Sequence, residues 1–185
     1  RRILDVATGT GDLAIALARR IRDVQVMGVD LSEEMLAVAR RKVEARGLDS
    51  RIVLERGDAE HLEVADASVD AATVAFGVRN FGDLAAGLRE LARTIRPGGK
   101  VVILEFSRPR NRVFRALYEF YSYKILPRIG GLVSRDKRAY EYLPASVGEF
   151  PAPAEFLGMM EKAGFRNCRA KSQSCGIAQI YIGER

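Results

Sequence analysis

The sequence predicts a single doubly wound α/β domain. Three observations carry this. Short apolar runs alternate with helical patterns from the first residues on. A glycine loop joins the first run to the first helix. Acids or glycines then recur where later runs end.

The elements follow in order. Ile3, Leu4 and Val6 form the first strand, and Ala7-Thr8-Gly9-Thr10-Gly11-Asp12 the loop. Leu13, Leu17 and Ile21 recur at helix spacing, so a helix is expected from about Asp12 to Arg22. Val24, Val26, Met27 and Val29 make a second strand ending at Asp30. Ser32 reads as an N-cap, with Glu33 and Glu34 in the first turn of a helix that Gly47 stops. Ile52-Val53-Leu54 is a third strand, closed by Gly57-Asp58-Ala59.

Val69 to Phe76 is almost continuously apolar and fits a central strand covered on both faces. It leaves through Gly77-Val78-Arg79-Asn80-Phe81. Leu84, Leu88, Leu91 and Ile95 mark a helix, Pro97-Gly98-Gly99 a hard turn, and Val101–Phe106 a fifth strand. Val113 to Ile125 then forms an aromatic face flanked by arginines, and Val133 to Pro153 reads as a lid, so residues 107–153 are expected to be a helix-and-lid insertion for substrate. A helix over Ala154–Ala163 and strands near Phe165–Lys171 and Cys175–Ile182 complete the domain.

Composition narrows the chemistry. Hydrophobic residues make up 48% of the 185 residues, enough for a substantial core, and no apolar run reaches membrane-spanning length. One histidine, His61, builds neither a metal site nor a triad and reads as a surface residue; no metal is expected. Cys168 and Cys175 read as reduced thiols in a cytoplasmic protein. The net charge is +6, yet Phe106 to Tyr140 holds nine basic residues against Glu119 and Asp136, so the remainder is near neutral. Such a patch suits an anionic lipid surface, a nucleic acid or an acidic ligand.

The loop fits two nucleotide readings. Gly9-Thr10-Gly11-Asp12-Leu13-Ala14 matches the dinucleotide fingerprint. It also fits the tail of the S-adenosylmethionine (SAM) loop, with Asp5 as its acid and Ala7 in place of the first glycine. Asp30 suits either, as an acid that holds ribose hydroxyls. A dinucleotide enzyme usually needs a second nucleotide-binding half, and this chain closes on a strand pair instead.

Later motifs carry a resemblance. DVATGTGD (Asp5–Asp12), GVDLSEEML (Gly28–Leu36), GDAEHL (Gly57–Leu62), AFGVRNF (Ala75–Phe81), LEFSRP (Leu104–Pro109), YLPASVGEFP (Tyr142–Pro151) and GIAQIYIG (Gly176–Gly183) together resemble the menaquinone/ubiquinone-biosynthesis C-methyltransferases, over essentially the whole chain. The resemblance implies the mostly parallel seven-stranded sheet of class I SAM-dependent methyltransferases, with the last strand antiparallel. It implies SAM as cofactor and a methyl transfer to a ring carbon of demethylmenaquinol, giving menaquinol. Ubiquinone-pathway or other small-molecule C-methylation is the alternative, and a basic nucleic-acid-binding module the reading from another class, though no nucleic acid is expected. Family members also carry some tens of residues before the first strand, so an N-terminal segment is expected to be missing here.

Carried over by position, Gly9, Thr10 and Gly11 would form the cofactor loop. Asp30 would hold the ribose, Asp58 and Ala59 the adenine, and Ala75 the cofactor edge beyond the fourth strand. Arg79 would stabilise a quinolate and orient a water, and Asn80 would fix the ring oxygen. Against this, arginine is a poor base, and Arg79 also reads as a structural ion-pairing residue. Tyr121 and Tyr142 are expected at the quinone pocket. The implied partners are a lipid quinol, the anionic inner face of the cell membrane through the basic aromatic segment, and a second copy in a homodimer.

Overall fold

A computed structural model describes residues 1–107 and 149–185. The basic aromatic segment, Tyr121, Tyr142 and most of the 107–153 insertion lie outside the described residues.

One seven-stranded sheet runs in the order β3-β2-β1-β4-β5-β7-β6. Its strands are β1 (Arg2–Val6), β2 (Gln25–Asp30), β3 (Ile52–Arg56), β4 (Val69–Ala75), β5 (Ile95–Phe106), β6 (Arg166–Gln173) and β7 (Ala178–Glu184). The first five pair in parallel, and β7 is antiparallel to both β5 and β6. Among the described residues, the flanking helices are α1 (Asp12–Arg20), α2 (Glu33–Glu44), α3 (Leu84–Thr94) and α4 (Pro153–Lys162).

Alternation along the strands sends residues to two cores. Ile3, Val26 and Ile52 pack with Ala14, Ile15, Ala18 and Val43 of α1 and α2. Leu4, Val6, Val29, Val74 and Ile103 face the other way, onto Leu88 and Leu91 of α3 and Phe156 and Met160 of α4. Each fully buried side chain of this size contributes about 1.5–3 kcal/mol. Ser32 caps α2 by accepting from the Met35 N–H at 3.2 Å, and Asp83 caps α3 by accepting from Ala86 at 2.9 Å.

Three of the boundaries that differ from the sequence expectation have a visible local cause. α1 stops at Arg20, where the Ile21 N–H caps onto Leu17 O. Pro97-Gly98-Gly99 does not precede β5 but bulges inside it: pairing jumps from Val69↔Ile95 to Ala71↔Lys100. The bulge holds because Gly98 N donates to Arg185 O at 2.7 Å and Arg185 N to Gly99 O at 3.0 Å. The last strand begins at Ala178 rather than Cys175, because Ser174 and Cys175 take left-handed backbone at φ 47° and 57° in a 3-10 turn.

Candidate active site

A cleft enclosing about 420 Å³ opens at the carboxyl ends of β1, β2, β3 and β4. β2 lies on one side of β1 and β4 on the other, so the cleft sits where the strand order reverses.

The loop after β1 forms one wall. The Thr8 N–H donates to Val29 O at 3.0 Å, tying the loop to β2. The Gly9 N–H donates to Asp30 Oδ2 at 2.7 Å, and the Ser32 N–H to Asp30 Oδ1 at 2.9 Å. One carboxylate therefore fixes both strand-end loops while lining the cleft. Gly9 also lines it, with φ +55° and nothing within 4 Å of where a Cβ would stand. Gly11 and Thr10 are not among the lining residues. Gly11 takes φ +77° and lets α2 approach, since a Cβ would stand 3.0 Å from that of Ala39. The Thr10 hydroxyl donates to Asp12 at 2.9 Å and accepts from Lys42 Nζ at 2.9 Å.

Asp5 lies beneath this wall, 1% exposed. Its oxygens accept from the Thr8 and Thr73 hydroxyls, both at 2.6 Å. Burial pushes its carboxyl up to about 6; the two hydroxyls partly oppose this, and the Asp30 charge adds to it.

β3 supplies the far end. Asp58 Oδ1 accepts from the Glu60 N–H at 2.9 Å, and Asp58, Ala59 and Glu60 line the cleft. Glu60 reaches back to accept from Gly82 N at 2.6 Å and Asp83 N at 3.0 Å. His61 is exposed, as its sequence context indicates.

The opposite wall follows β4. Ala75, Phe76, Gly77, Asn80 and Phe81 line it. Arg79 does not: its guanidinium, 11% exposed, pairs with fully buried Glu105 at 2.7 Å. Nη1 donates also to Phe76 O at 2.6 Å. Among the described residues, then, the cleft gathers Gly9, Asp30, Asp58, Ala59, Ala75 and Asn80, and leaves Thr10, Gly11 and Arg79 behind it.

Sequence reasoning passed over Leu31, Met35, Phe76 and Glu105. The first three are 60%, 46% and 36% exposed and all line the cleft, giving it an apolar mouth. Glu105 did leave a signal, as an acid embedded in the apolar fifth strand. Cysteine, histidine and carboxylate groupings suited to a metal are absent among the described residues.

The comparisons with known proteins agree with this geometry. The model of the ubiE/COQ5 methyltransferase family matches residues 1–185. The ubiquinone/menaquinone biosynthesis C-methyltransferase UbiE of Geobacter sulfurreducens is 48% identical over 185 residues, covering all of this chain and 72% of the relative. The demethylmenaquinone methyltransferase of Thermus thermophilus is 47% identical, covering all of this chain and 83% of the relative. A SAM-dependent methyltransferase from Aquifex aeolicus shares the fold, with a TM-score of 0.72 at 21% identity over 98% of this chain and 80% of that one. The chain belongs to the ubiE/COQ5 methyltransferase family.

Proposed function

We propose that this protein transfers a methyl group from SAM to a ring carbon of demethylmenaquinol, producing menaquinol. The observation that carries the reading is a match over all 185 residues of this chain, at 46–48% identity, to relatives named for quinone C-methylation, of which it covers 72–83%. The cleft fits the donor. Asp30 and Asp58 are acceptors for hydroxyl and amino groups, Gly9 offers bare backbone, and Leu31 and Met35 give apolar cover to a flat base.

SAM, when bound, supplies a methyl group on a sulfonium, and the C–S electron pair leaves with a neutral thioether. The ring carbon's electron pair forms the new C–C bond, and the ring C–H proton passes to water, restoring the aromatic quinol. The protein's part is alignment and exclusion of solvent, which is the larger share of such a barrier. Asn80 is assigned to the ring oxygen, because it lines the cleft beside the end of β4. Arg79 is assigned a positioning role. It acts through the Phe76 carbonyl and the 3-10 turn Val78–Asn80, in which its own N–H donates to Glu105 at 3.2 Å.

The test combines the protein, labelled SAM and a reduced short-tail demethylmenaquinone, with product mass as readout. One added methyl group is expected. SAM binding without transfer removes the quinol from the reading, and transfer to a demethylated ubiquinol precursor instead moves the substrate to that pathway.

The reading extends to a peripheral site on an anionic membrane, where a polyprenyl quinol resides. It rests on the arginines and aromatics between Phe106 and Tyr140, since no helix among the described residues is long and apolar enough to span a bilayer. Co-sedimentation with liposomes is expected to rise with anionic lipid content; binding indifferent to that content overturns the extension.

A further inference from the structure

Phe76 holds a backbone conformation that residues with a Cβ rarely adopt. Its φ is +57°, in the left-handed region, where a Cβ crowds the following carbonyl oxygen. The residue is 36% exposed, although Val74, two positions earlier on β4, is buried at 1%. A strained backbone and a half-exposed aromatic coincide at one position, on the wall of the cleft.

The neighbours are arranged to keep it there. Phe76 N donates to Leu104 O at 2.8 Å, extending the β4–β5 ladder by one residue. Phe76 O accepts from Arg79 Nη1 at 2.6 Å, and that same nitrogen donates to Glu105 Oε1 at 2.7 Å. The Arg79 guanidinium carbon lies 5.4 Å from the centre of the Phe106 ring, whose centre is 4.3 Å from that of Phe76 at an interplanar angle of 30°. The Glu105–Arg79 pair therefore grips the Phe76 carbonyl directly and the Phe76 ring through Phe106.

We infer that Phe76 is the stacking wall for the planar ring of the methyl acceptor, and that the buried Glu105–Arg79 pair is the clamp that presents it. This deepens the quinol reading and rests on it for the identity of the acceptor. The donor's acids, Asp30 and Asp58, stand at the ends of β2 and β3; Phe76 stands at the end of β4, on the other side of β1, next to Asn80. A flat, electron-rich ring has its aromatic partner on that side.

Phe76→Leu removes the aromatic face and keeps an apolar side chain. The acceptor KM is expected to rise about 2- to 12-fold, the worth of one aromatic pair, with SAM affinity unchanged. Phe76→Tyr is expected to restore the KM. Glu105→Gln is expected to raise the acceptor KM similarly, and the Phe76→Leu/Glu105→Gln double variant to be no worse than either single one, since both act through one ring. Additive losses, or an unchanged KM in Phe76→Leu, overturn the inference while leaving the quinol reading intact.

The chain contains no tryptophan, so Phe76→Trp creates a single fluorescent reporter at the wall. A short-tail naphthoquinone is expected to quench it saturably, whereas S-adenosylhomocysteine leaves it bright. If the wild type methylates no quinol, the same titration with a panel of planar phenols still decides the platform. Saturable quenching by one of them supports it, and none overturns it.

Discussion

The two walls of the cleft are built by opposite means. The β1 wall is backbone gathered by one partly exposed carboxylate: Gly9 and Ser32, in the loops that directly follow β1 and β2, donate their N–H groups to Asp30. The β4 wall is held by two side chains: Arg79 and Glu105, on different elements, meet in a buried ion pair. The first wall positions a ligand with groups that stay near water. The second positions one with a charge pair withdrawn from it. Losing a partner is mild in the first case and severe in the second, because an orphaned buried charge has no solvent to turn to.

The largest expected effect breaks that pair. Glu105→Ala leaves the Arg79 guanidinium, 11% exposed, without its carboxylate, and is expected to cost about 3–5 kcal/mol in urea unfolding. Asp30→Ala removes two backbone contacts from a partly exposed site and is expected to cost about 1–2 kcal/mol, while weakening SAM binding about tenfold or more. Equal losses of stability would erase the distinction between the walls.

Asp5 gives the next effect, from beneath the loop wall. Its folded pKa of about 6 lies above the ordinary 3.8, so the folded protein takes up a proton between those values. Its contribution is fully present below about pH 4 and is lost as pH rises through about 6, amounting to roughly 3 kcal/mol. Asp5→Asn is expected to flatten this window in urea midpoints measured from pH 4 to 8. The carboxylates with lowered pKa, such as Asp70 and Glu90, tilt the curve oppositely but cancel in the difference between the two proteins. Parallel curves would show that Asp5 is not the titrating group.

This contrast also governs what could be read in advance. The succession of strands and helices and the path of the first loop follow from local signals: the glycine spacing, acids near the ends of the first strands, and apolar runs of strand length. The Arg79 ion pair was one of two readings of a single residue, and its partner was not named, because Glu105 is 26 residues away and only the β4–β5 pairing brings them together. Thr10 and Gly11 belong to the loop motif yet line no part of the cleft. A motif fixes the loop's path, while tertiary contacts decide which of its residues face the ligand. The left-handed turn at Phe76 had no local signal either, since phenylalanine carries no preference for that backbone.

Where the walls meet, a smaller effect is expected. A Cβ on Gly77 would stand 2.4 Å from that of Ala7, itself left-handed at φ 54°. Gly77→Ala should cost about 1–3 kcal/mol by overpacking. Adding Ala7→Gly should recover most of it, by removing the clashing methyl and relieving Ala7's backbone. A double variant no better than Gly77→Ala would place the damage elsewhere.

The smallest expected effect is Thr10→Ala. Its hydroxyl is committed to Asp12 and Lys42 at the exposed joint between α1 and α2. Removing it should cost no more than about 1 kcal/mol of stability, the scale of exposed polar pairs. SAM affinity by calorimetry should stay within about twofold, because this wall acts through the Gly9 backbone and the Asp30 carboxylate rather than through hydroxyls. A tenfold loss of affinity would mean that binding rotates Thr10 into the cleft, and that the loop wall also works through a hydroxyl.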